Sequence, residues 1–106
     1  MLPRERRLRS SREIREVISR GNRVSNSVAT LHYRSSESNR YGIVVSKAIG
    51  NAVHRNLVKR RVRAILSGHL QANPHIEGVF RMRPGTAAIG FDVLEAEIGR
   101  LLEKIK

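Results

Sequence analysis

The chain contains no cysteine and no tryptophan. Without thiols it can form neither a disulfide framework nor a thiolate metal site. That fits a reducing compartment, and the expectation is a cytoplasmic protein. Aromatic residues make up only 4% of the sequence, two Tyr and two Phe, so rings for stacking bases are in short supply. No apolar run approaches the length of a membrane span, and no apolar segment follows the charged N-terminus as a secretion signal requires. His32, His54, His69 and His75 show no metal-ligand spacing. Acidic residues are scarce too, 9 against 21 Lys plus Arg, and they do not cluster as a metal-dependent hydrolase needs. Glu16 stands four residues before Arg20 and reads as one half of a helix-surface pair. Glu37 falls in a turn, and Asp92, Glu95 and Glu103 belong to an amphipathic helix. No catalytic group, metal or cofactor is expected on this polypeptide.

What is abundant is positive charge. A chain of 106 residues with 40% hydrophobic content and a net charge of +12 is one compact domain, residues 1–106, with a modest core. Residues 1–63 hold 16 basic and 4 acidic side chains, whereas residues 64–106 hold 5 of each. A chain repelling itself so strongly in one half needs a polyanion to complete it. An anionic membrane is disfavoured, because no basic amphipathic helix carries large apolar anchors. Nucleic acid remains.

Residues 1–9 are Arg-rich and are expected to be flexible. Ser10 with Glu13 makes a capping box, so a helix should start near Ser11. Ile14, Val17 and Ile18 form its apolar stripe and Gly21 its stop. β-character begins near Val24. Over 28–34, Ala29, Leu31 and Tyr33 alternate with Thr30, His32 and Arg34, so one face is drier. Ser35–Asn39 is a polar turn, and Tyr41–Lys47 a second, more buried strand. A helix follows from Ala52 to about Leu66, with Asn73-Pro74 as a break beyond it. Residues 78–82 read as a further strand, with Arg83-Pro84-Gly85 as its exit turn. In the last helix Phe91, Leu94, Ile98, Leu101, Leu102 and Ile105 form the apolar face, and Lys104 and Lys106 sit near its negative end.

The segment 47–63 carries the binding chemistry. On a helical wheel at about 100° per residue, Arg55, Lys59, Arg63, Asn56 and Arg60 share an arc of about 140°. His54, Val58, Val62 and Ile65 fall opposite, as the packed side. Arg55, Lys59 and Arg63 extend about 12 Å along the axis, enough to touch several phosphates. Arg supplies planar bidentate donors and Lys a point charge. Gly50-Asn51 stands just before the helix, where glycine lets a phosphate approach the backbone and amide groups point outward.

Ser46-Lys47, Gly50-Asn51-Ala52-Val53, Arg55-Asn56, Lys59-Arg60 and Arg63 together resemble the signature of the bacterial ribonuclease P protein, the RNR motif. The resemblance covers nearly the whole chain. The helix ending at Gly21, the strand pair over 28–47, Val79-Phe80 before Arg83-Pro84 and the Leu-rich last helix follow the family's order. It implies an α+β sandwich, with a central mixed sheet of about four strands and three helices in the order α-β-β-β-α-β-α. It also implies a left-handed β-α-β crossover, against the usual hand. The implied contacts to the catalytic RNA are Lys47, Gly50, Asn51, Arg55, Asn56, Lys59, Arg60 and Arg63, with Arg61 a lesser one. The implied cleft for the 5′ leader of precursor tRNA lies between the sheet and the first helix, lined by Ile14, Ile18, Thr30, His32, Arg34, Val44 and Ser46.

The sequence departs from the family at three places. Ile14 and Ile18 stand where aromatic residues are common, Ala48 follows Lys47 in place of a second Lys, and a Tyr is usual near His32. Ile14 and Ile18 fit plain core packing equally well, and the leader would be held mainly by phosphate and aliphatic contacts. The expected partners are the ribonuclease P RNA, one monomer of protein per RNA, and precursor tRNA. The RNA would carry the Mg2+ and the chemistry of leader removal. Composition alone fits a ribosomal RNA-binding structural protein equally well; only the motif separates the two.

Overall fold

A computed structural model describes residues 2–69 and 75–105. The Asn73-Pro74 break and Lys106 lie outside the described residues. The elements are α1 (Ser11–Arg20), β1 (Asn22–Ser25), β2 (Ala29–Ser35), β3 (Arg40–Val44), α2 (Ala52–Ser67), β4 (Ile76–Met82) and α3 (Phe91–Glu103). They follow the expected α-β-β-β-α-β-α order. The sheet order is β1-β2-β4-β3, antiparallel except for the β3–β4 pair. That parallel pair is connected through α2, so β4, late in sequence, sits inside the sheet.

Alternation along the strands sorts side chains to two faces. Ala29, Leu31, Phe80, Met82 and Tyr41 point to one face and are buried against Val58, Val62, Ile65 and Leu66 of α2 and Leu94, Ile98, Leu101 and Leu102 of α3. This is the main core. The opposite face carries a smaller cluster, Leu8, Val17 and Val79, with Ile14, Ile18 and Val44 half-buried around it. One amphipathic helix, α1, covers that face.

The ends of α1 show why it lies where it does. Ser10 Oγ accepts the Glu13 amide, as the capping box requires. Gly21 ends the helix at φ −82°, so no left-handed cap is involved. A Cβ there would lie 2.4 Å from the Tyr33 carbonyl oxygen and 2.6 Å from that of Val17. Close approach of the helix end to β2 is what requires glycine.

Three expectations need correction. Residues 2–9 are not a free arm: Leu2 and Leu8 are buried, the Leu8 amide donates to the Tyr41 carbonyl at 2.8 Å, and Arg7 pairs beside Tyr41. The segment thereby shields the outer edge of β3. The second expected strand stops at Val44 rather than Lys47, because Ser46 Oγ accepts the Ala48 amide and starts a 3-10 turn over Lys47–Ile49. Phe91, assigned to the apolar stripe of α3, is 38% exposed, since it occupies the first helical position before the helix reaches the core. Among the described residues no helix is long and apolar enough to cross a membrane.

Candidate nucleic-acid interface

The α2 helix is anchored by Val58, Val62, Ile65 and Leu66, all but inaccessible. That fixes its opposite side outward. Arg55, Lys59 and Arg63 keep part of their stems buried, while Asn56 and Arg60 are exposed; long cationic side chains cover apolar surface in this way and leave the charge in solvent. Among the described residues none of these four cations forms an ion pair with a carboxylate. No acidic residue stands in the first turn. A recess of about 230 Å³ lined by Val45, Ala52, Arg55, Asn56 and Lys59 runs along this side. The strip is therefore cationic, uncompensated and concave.

The loop before α2 is held by its own caps. Asn51 Oδ1 accepts the His54 amide at 3.0 Å, and the Gly50 amide donates to the Lys47 carbonyl at 3.1 Å. Gly50 has φ 141° and ψ −160°, a region open essentially to glycine alone. Its missing Cβ would also sit 3.0 Å from His54 Nδ1. His54, expected on the packed or edge side of the helix, is exposed, with its side chain lying against Gly50. Gly50→Ala should cost about 1–3 kcal/mol of stability. Denaturant melts check this; an unchanged midpoint would show that the loop is not strained.

Arg61 departs from the strip. Its Nη1 donates to the Ile89 carbonyl at 3.1 Å, so this guanidinium holds the turn before α3 instead of facing outward with its neighbours.

The other proposed site lies on the α1 face. Strand register places Thr30, His32 and Arg34 of β2 beside Arg81, Val79 and Glu77 of β4, and Val44 of β3 beside Arg81. Ile14 and Ile18 pack from above, partly exposed. Those residues are brought together; Ser46 lies past the end of β3, exposed, as the cap of the 3-10 turn. Arg34 is not free to grip a ligand. Its guanidinium is bonded to Glu77 at 3.0 Å and reaches Glu16 at 3.5 Å. Glu77 is buried and also takes bonds from Ser38 and Arg40, while Arg40 reaches Glu13 at 2.7 Å. This network ties α1 to the sheet. It also corrects the Glu16 pairing: the partners are Arg34 and Arg12, not Arg20.

His32 is 3% exposed, and among the described residues neither ring nitrogen has a hydrogen-bond partner. Burial pushes its pKa down, and the charges of Arg81 and Arg23 push the same way. The imidazole is thus neutral at pH 7, one donor and one acceptor beside two cations. Arg23 and Arg81, both exposed on this face, were missed from sequence. The signal was present in β4, where Arg81 interrupts the buried run between Phe80 and Met82. Among the described residues no group of His, Asp and Glu is placed to hold a metal ion.

The family profile described as Ribonuclease P matches residues 2–106. The ribonuclease P protein component of Acidothermus cellulolyticus is 36% identical over 110 residues, covering 99% of this chain and 92% of the relative. That of Clavibacter michiganensis is 34% identical over 102 residues, covering 92% and 90%. The solved RNase P protein of Thermotoga maritima superposes with a TM-score of 0.85 at 26% identity, over 94% of this chain and 97% of that one. The Staphylococcus aureus RNase P protein gives 0.87 at 22% identity, over 95% of each chain, a likeness of fold.

Proposed function

The chain belongs to the ribonuclease P protein family, the protein part of an RNA-containing endoribonuclease, and from that premise we propose how it works within that enzyme. It binds the catalytic RNA through the Gly50-Asn51 loop and the α2 strip, and the 5′ leader of precursor tRNA through the cleft under α1. The observation that carries this reading is the strip itself, Arg55, Lys59, Arg60 and Arg63, none of them paired with a carboxylate among the described residues. Unpaired cations on a fixed helix are suited to phosphates and release counterions on binding. In the cleft, Thr30, the neutral His32 and Arg81 offer polar contacts, and Ile14, Ile18 and Val44 aliphatic ones. These suit a single strand held without aromatic stacking.

The division of labour follows. The RNA supplies the Mg2+ and the bond cleavage; the protein, one copy per RNA, lowers repulsion among leader, tRNA and catalyst. Adding the protein to its cognate RNA should therefore move precursor-tRNA cleavage to lower Mg2+. The benefit should shrink when the leader is trimmed to one or two nucleotides. A magnesium series with full and trimmed leaders measures both. An unchanged magnesium requirement would overturn the proposal, and equal benefit for both substrates would remove the leader site from it.

A further inference from the structure

Three carboxylates at the junction of α1 with the sheet, Glu13, Glu16 and Glu77, are engaged by Arg12, Arg34 and Arg40. Along the outer edge of β3 the balance reverses. The N-terminal segment is pinned there by buried Leu2 and Leu8, by the Leu8 amide on Tyr41 and by Arg7 Nε donating to the Leu2 carbonyl at 3.0 Å. That placement brings Arg7 and Arg9 to the same cavity as Lys59 and Arg63, a space of about 260 Å³ whose lining also includes Leu8 and Ile14. Burial lowers the pKa of Arg63, and the charge of Arg7 lowers it further. None of the four cations is ion-paired among the described residues, and Glu5, which lines the adjoining recess with Arg7 and Arg9, makes no ion pair either. Like charges held together around a cavity, by a segment fixed through apolar anchors, are stabilised by an anion placed among them.

We propose that Arg7, Arg9, Lys59 and Arg63 form a seat for one nucleotide of the partner RNA, its phosphate among the four cations and its base on Leu8 and Ile14. The seat rests on the RNA-binding reading and extends it, since it makes the N-terminal segment part of the interface. It also joins the α2 strip to the cleft on the α1 face around the edge of β3.

The test uses the full chain, isotope-labelled, titrated in chloride buffer at constant ionic strength with adenosine 5′-monophosphate and separately with inorganic phosphate. Both should shift the Nε–Hε resonances of Arg7 and Arg63. Only the nucleotide should shift the methyl resonances of Leu8 and Ile14. Arg9→Gln removes no hydrogen bond seen in the structure and should weaken nucleotide binding roughly threefold to fivefold, the scale of one exposed charge contact. Arg83→Gln, outside the seat, should leave it unchanged. Shifts spread evenly over exposed arginines, or equal affinity for the Arg9→Gln and Arg83→Gln variants, would overturn the seat. So would phosphate-like shifts from the nucleotide with silent methyls. A protein that still binds its RNA under those outcomes loses the seat alone; one that binds neither nucleotide nor RNA loses the RNA reading as well.

Discussion

Glu77→Gln should lower the unfolding free energy by roughly 3–5 kcal/mol, the cost of removing one partner from a buried charge network. Domains of this kind have about 5–15 kcal/mol in total, so the variant should be at the edge of folding. Glu77 lies in the middle of the sheet, opposite Arg34 on one side and Arg40 on the other. Its side chain is 4% exposed and bonded to Arg34, Arg40 and Ser38. Glutamine keeps the shape and removes the charge, leaving two guanidinium groups facing each other. The comparison variant is Glu16→Gln, whose pairs are solvent-exposed and should cost less than about 1 kcal/mol. Burial alone would push the Glu77 pKa up, but the hydrogen bonds from Arg40, Ser38 and Arg34 outweigh it, and the net shift is below 4.5. Its contribution is therefore complete above pH 4.5 and is lost as the pH falls through the folded-state value. Urea melts at pH 7 and in the acid range read both effects. A loss under 1 kcal/mol at pH 7, or a gap that widens in acid, would contradict the account.

Replacing Arg55, Lys59 and Arg63 together by Ala should be the most damaging change to RNA binding that leaves the fold intact. Among the described residues none of the three is ion-paired, so on the proposed interface each replacement would remove one phosphate contact. The slope of log K against log salt should shrink by about 0.7–0.9 per residue, or roughly 2 to 3 for the triple variant. A slope smaller by about 2 corresponds to roughly hundredfold weaker binding near 0.1 M salt. Arg83→Ala, equally basic but at the far end of β4, should move neither quantity much. Equal slopes for the wild type and a folded triple variant would place the interface elsewhere.

How far the sequence carries can be seen residue by residue. The capping box at Ser10 and the 3.6-residue period of Val58, Val62 and Ile65 place α1 and α2 almost to the residue, because both signals are local. The alternation in β2 assigns Leu31 and His32 to opposite faces for the same reason. Nothing local tells β2 that its neighbour is β4, and so the Arg34–Glu77–Arg40 row and the cleft residue Arg81 stayed hidden. The wheel placed Arg55, Lys59 and Arg63 correctly but misplaced His54 and left Arg61 undecided. It treats every turn as lying over the core, whereas Ala52, Val53 and His54 in the first turn of α2 are exposed and Arg61 meets Ile89 at another side. Leu2 and Leu8 were too few and too widely spaced to announce an ordered segment among so many arginines. Their burial depends on the β3 edge, which the segment itself cannot specify.

The position of β4 has a consequence for how the molecule comes into being. Synthesis delivers α1, β1, β2, β3 and α2 first, and with them all of the net charge, but β2 and β3 are not neighbours until residues 76–82 arrive between them. The growing chain therefore exposes its apolar strand faces and its arginines together, with only the short β1–β2 pair to settle into. Pairing that must wait for a distant segment is slow, and incomplete chains of this sort are the ones most exposed to misassembly. A truncation ending at residue 69 should accordingly remain unfolded whatever RNA is offered to it, even though it contains every residue of the α2 strip.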